Sequence, residues 1–239
     1  RHDGAARQLV PIYRELGSWS KLPDVYDIVL EATDTREDRQ VLLLELADVH
    51  QEHLRDPDLA FFAYVQAVRE SPTATNLHPE LRRLAEVSGN WDSYVEVLQE
   101  TVELNDDPVD RVATLLEVGA VYRDRLDAHA ESLSFFDRVI AIDDRNRTAL
   151  DAALALHTEL GAWDQLVGVF DKKLRIANDG DERKDVLFQL AATWRDQLGD
   201  NGEAEAIYRE MLEDFPKDTR VHGALCNIYL EEARYEPLQ

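Results

Sequence analysis

Trp19, Trp91 and Trp163 stand 72 residues apart, and each closes a Gly-x-Trp: Gly17-Ser18-Trp19, Gly89-Asn90-Trp91 and Gly161-Ala162-Trp163. One further step lands on Tyr235, in Ala233-Arg234-Tyr235. A gap-free period of this length means that one supersecondary unit is built several times and the copies are stacked. The units are expected at about 4–75, 76–147 and 148–219, with a partial fourth over 220–239, all in a single array. The interrupted fourth copy and the absence of an initiator methionine read as a segment of a longer protein.

The residues between the tryptophans select helix. Glycine and proline are scarce and fall between periodic segments, β-branched alternation is absent, and Leu, Ala, Glu, Arg and Asp dominate. Each unit reads as four helices in two antiparallel pairs. In the second unit they are expected over about 76–88, 91–105, 108–126 and 129–142, and the others follow by steps of 72. Gly17, Gly89 and Gly161 end first helices as left-handed caps. Asp56-Pro57 and Asp200-Asn201-Gly202 supply acceptors for free N–H groups at later helix starts. Pro23 and Pro79 fit first turns, whereas Pro11 lies inside a helical pattern and predicts a frayed or kinked helix.

The second half of each unit carries a more specific signal. Leu187-x₂-Leu190-Ala191-x₂-Trp194 is followed by Ala204-x₃-Tyr208 and Pro216. The preceding copy has Leu115-x₂-Val118-Gly119-x₂-Tyr122, then Ser132-x₃-Phe136. The first has Leu43-x₂-Leu46-Ala47-x₂-His50, then Ala60-x₃-Tyr64 and Pro72. This resembles the tetratricopeptide repeat, whose pattern of about 34 residues has small residues where two helices of a pair touch and aromatics in the gaps between pairs. The first half of each unit is more divergent, with Arg82 where that pattern has a small residue and Ala85 where it has an aromatic. The resemblance implies an all-α, right-handed solenoid of antiparallel helix pairs with about 13 helices. In it the tryptophans serve interhelix packing.

The net charge of −23 repels phosphate backbones, so neither nucleic acid nor an anionic membrane is an expected partner. No apolar run approaches the length of a membrane span, and no signal peptide opens the chain; the expected compartment is the cytoplasm. The acidic surface fits either solvation or a docking face for a basic protein. The single Cys226 forbids an intrachain disulfide and, aligned with Leu154, is expected as a buried small hydrophobe.

Catalytic and cofactor chemistry finds no foothold: phosphate-binding glycine loops, a nucleophile elbow and a His-Glu-x-x-His are all absent. Asn178–Glu182 resembles a calcium loop only until Arg175 falls on the first ligand position. His50 and His157 occupy packing registers, His50 in that of Tyr122 and Trp194. The chain is therefore expected to be neither enzyme nor cofactor protein. The resemblance implies instead a concave groove lined by first helices, binding a peptide or partner protein; Gln51, Asn76, Arg83, Arg123, Arg195 and Asn227 are its candidate contacts. Arg123 and Arg195, one period apart, suit carboxylates unless Asp124 and Asp196 claim them locally. The lysines of a C-terminal carboxylate clamp are lacking. A scaffold or adaptor is the first expectation; a regulatory section contacting an attached effector domain is the alternative.

Overall fold

The computed structural model describes residues 3–231, so Tyr235 and its neighbours lie outside the described residues. Thirteen α-helices and no strand occur among the described residues. They fall into two compact units that meet between Ala128 and His129.

The first unit contains α1 (Asp3–Glu15), α2 (Leu22–Glu31), α3 (Arg36–Asp48), α4 (Pro57–Glu70), α5 (His78–Ser88), α6 (Trp91–Leu104) and α7 (Pro108–Asp124). Short 3₁₀ turns, Trp19–Lys21 and Thr75–Leu77, lead into α2 and α5, and α3 continues through a π-helical turn, Val49–Leu54. The second unit contains α8 (His129–Ile142), α9 (Arg147–Leu160), α10 (Trp163–Ile176), α11 (Gly180–Asp196), α12 (Asn201–Asp214) and α13 (Thr219–Glu231). Within each unit, helices consecutive in the chain pack on one another through short connections, which makes neighbours antiparallel.

The helix ends repeat because their chemistry repeats. Thr35, Asp107 and Asp179, one period apart, cap α3, α7 and α11 by accepting backbone N–H bonds. Asp56 and Asp200 do the same for α4 and α12. Gly17, Gly89 and Gly161 all adopt positive φ, at 63°, 76° and 66°. At Gly17 and Gly161 the following indole folds back to within 4 Å of where a Cβ would sit, so turn and tryptophan are one device.

The registers of the repeat are core registers. Leu43, Leu115 and Leu187 are buried, as are Ala47, Ala191, Ala60 and Ala204, whose small side chains let α3 meet α4 and α11 meet α12. Trp19 packs against a cluster that includes Leu22, Leu46 and Val49, and Trp163 against one that includes Leu166 and Val186. Trp91 meets Tyr94 edge-on at 5.8 Å, with the Arg125 guanidinium over its ring at 4.9 Å. The tryptophans thus serve packing, but each is only partly buried.

One expectation fails. Cys226 is exposed, not buried. Its counterpart Leu154 is covered by α10, and no described helix follows α13 to cover the same face. Pro11 lies inside α1, which runs on to Glu15, and the amide that proline lacks leaves one helical hydrogen bond unmade.

Candidate functional site

The six groove candidates do not form one constellation. Gln51 and Arg83 do come together: the carbonyl oxygen of Gln51 accepts from Arg83 Nη2, while Arg83 Nε donates to Glu80 at 2.9 Å. Arg123 and Arg195 are claimed by the acid next in sequence, Arg123 Nε donating to Asp124 at 2.7 Å and Arg195 Nε to Asp196 at 2.6 Å. The Arg123 hydrogen bond holds Asp124 below the usual carboxylate range. Asn76 is exposed in the turn before α5, and Asn227 is exposed on α13.

A second constellation, not singled out from the sequence, lies in the first unit. A cleft of about 470 Å³ is lined by His78 and Arg82 of α5, Tyr94 of α6, and Asp110, Thr114 and Glu117 of α7. The last three follow one another along one face of α7 at helical spacing. Glu117 is its anchor, accepting from the Tyr94 hydroxyl at 3.1 Å and from Arg82 Nη1 at 3.1 Å. The Arg82 side chain is 53% exposed, which places it at the mouth. Asp110 accepts only a long 3.4 Å contact from the Asn105 amide, and Thr114 donates to the carbonyl of Asp110 at 2.9 Å. Burial and the Glu117 charge push the Tyr94 hydroxyl far up, so it remains a donor. His78 Nε2 is buried and unpartnered. Burial pulls the His78 pKa down, against the opposing pull of Asp110 and Glu117.

The first copy carries a similar triad beside a smaller cleft of about 390 Å³, lined by Arg14, Trp19 and Glu45 among others. Glu45, one period before Glu117, accepts from the Tyr26 hydroxyl at 2.6 Å and from Arg14 at 3.2 Å. The registers that make the middle cleft polar are apolar there: His78, Arg82, Tyr94 and Thr114 correspond to Ala6, Val10, Leu22 and Leu42. In the third copy they correspond to Leu150, Leu154, Leu166 and Val186. These counterparts are buried or packed against core clusters. The signal was available in the 72-residue register, where the anomalous Arg82 is one of four polar replacements; the fold brings all four to one place.

No protein-family model matches the chain, and no curated protein does. Among solved structures the chain is similar to YrrB, described as a tetratricopeptide-repeat protein with an unusual peptide-binding site. The two are 10% identical with a TM-score of 0.44, and the match covers 83% of this chain and 96% of that one. It is also similar to MamA, at 18% identity and a TM-score of 0.41, covering 73% and 91% of the two chains. PilF of Pseudomonas aeruginosa is 14% identical with a TM-score of 0.42, covering 96% and 97%. The chain's own helices pack as consecutive pairs with small residues buried at their contacts.

Proposed function

We propose that the chain is a non-enzymatic interaction module that binds a peptide or partner protein along the face formed by the first helices of its pairs. The observation that carries this reading is a division of labour. Apolar side chains at the repeat registers are used in packing, whereas α3, α5 and α7 bear polar groups joined across neighbouring helices: Arg14 to Glu45, Gln51 to Arg83, and Arg82 to Glu117. Such groups suit hydrogen bonding to an extended chain, with the repeat supplying a rigid support. The test is selection of binders from a displayed random-peptide library against the whole chain. Arg83→Glu, Arg123→Glu and Arg195→Glu are then measured one at a time, and at least one should weaken a selected peptide fivefold or more. Peptides whose affinity is untouched by all three place binding elsewhere.

A further inference from the structure

The middle copy departs from its sisters in one place, and the departure is concerted. Four registers that are apolar in both sister copies are polar here, and all four line the same cleft. The sister copies have smaller clefts, of about 390 and 260 Å³, the latter lined by the apolar Leu154 and Leu166. A cleft whose lining changes from apolar to polar at four registers together is the form of a site built around a polar group.

The lining defines that group. Asp110 has acceptor capacity that the long Asn105 contact leaves unused. Glu117 already holds one guanidinium, that of Arg82, on one carboxylate oxygen while Tyr94 donates to the other. The surrounding surface is strongly acidic, with 26 carboxylates against 13 Lys and Arg over residues 1–128. A planar fork with five N–H donors satisfies acceptors spread around a cleft better than an ammonium does. We propose that the cleft between α5 and α7 receives an arginine side chain of a protein partner, its guanidinium donating to Asp110 and to Glu117 beside Arg82. The inference rests on the interaction function above for its occupant being a protein, and on the cleft alone for its chemistry.

The probe is an acetylated, amidated tripeptide with arginine between two alanines, titrated into the whole chain at pH 8 by calorimetry or NMR. The same peptide with lysine or glutamate at its centre is run in parallel. Saturable binding at about 1 mM or tighter is expected for arginine, with lysine weaker and glutamate unbound. The double variant His78→Leu/Thr114→Val restores apolar residues of the sister copies without altering net charge at this pH, and should lose at least tenfold. Asp110→Asn should lose at least fivefold, and it decides the matter if the double variant does not fold. Parent-level affinity in the filled variant, or in Asp110→Asn, overturns the proposal, because the peptide is then held by general surface charge; so does the absence of saturation. If the tripeptide fails while displayed peptides still bind the first-helix face, only the arginine site falls. If no displayed peptide is selected and the tripeptide binds, the site stands and the broader reading falls.

Discussion

Replacing Arg55 by glycine should make the protein more stable, although it deletes a charged side chain and lengthens no contact. Arg55, Asp127 and Gly199 occupy one register of the 72-residue period, and all three have positive φ: 55°, 52° and 69°. At each, the chain closes a helix by a six-residue loop, the N–H of Asp56 bonding to the carbonyl of His50 and that of Asp200 to Trp194, each at 2.9 Å. The backbone therefore demands the left-handed region here, and only the third copy meets the demand with the residue that adopts it without a Cβ clash. An ordinary L-residue in that region costs roughly 1–2 kcal/mol, of which glycine's greater unfolded-state entropy returns about 0.5–1 kcal/mol. Arg55→Gly should thus gain about 0.5–1 kcal/mol. Asp127→Gly should gain less, since aspartate tolerates this region better. Gly199→Ala should lose about 1 kcal/mol. Urea unfolding followed by far-ultraviolet circular dichroism reads each as a displaced midpoint at unchanged slope. A destabilised Arg55→Gly, or an unaffected Gly199→Ala, refutes the claim that local backbone strain dominates at this register.

Three further outcomes are expected. His50, His78 and His157 each contain a buried ring nitrogen without a partner, and burial lowers all three pKa values against nearby Asp56 and Asp27, Asp110 and Glu117, and Asp137 respectively. The unfolded chain then binds more protons just below pH 6.5, so their contribution is intact above that pH and lost as pH falls towards the folded values; the melting temperature should drop between pH 7.5 and 5.5, and a flat profile refutes it. Cys226 should react with a maleimide in the native protein nearly as fast as in urea, and protection of the thiol would show that its face is covered. Trp91→Ala should cost roughly 1–3 kcal/mol, less than the 3–5 kcal/mol of a fully buried aromatic, because its indole is only partly covered; the calorimetric melting temperature reads the loss, and an unchanged value rejects its packing role.

The helices were legible because each boundary has a local cause. The capping residues at 35, 107 and 179 and the glycines at 17, 89 and 161 recur with the period, so the expected spans in the second unit agree with the observed helices to within two residues. Cys226 was misread because alignment to Leu154 carries over the residue's register but not the helix that covers it. The candidate contacts were only partly legible for a related reason. Whether Arg123 faces a ligand or its neighbour depends on rotamers, and Asp124 is one residue away. The cleft was hidden in the mismatch between copies: only Arg82 departs visibly from the repeat pattern, and only the stacking of α5, α6 and α7 makes it a neighbour of His78, Tyr94 and Thr114.

That mismatch has an energetic consequence separable from any ligand. A buried polar atom without a partner forfeits about 1–3 kcal/mol of desolvation, and His78 Nε2 is such an atom. Thr114 adds little, because its hydroxyl is satisfied by the carbonyl of Asp110. Filling the site with the sister residues, as His78→Leu/Thr114→Val, should therefore raise the stability of the free protein by about 1–3 kcal/mol. A change of that size moves the melting temperature by several degrees in a chain of this length. It should do so while removing arginine binding, the pattern expected where a site is retained at a cost to stability. If the filled variant is instead less stable than the parent, the polar lining is serving the packing of the middle copy. The departure from the repeat is then a structural adaptation of α5 and α7 to each other, and the cleft is its by-product.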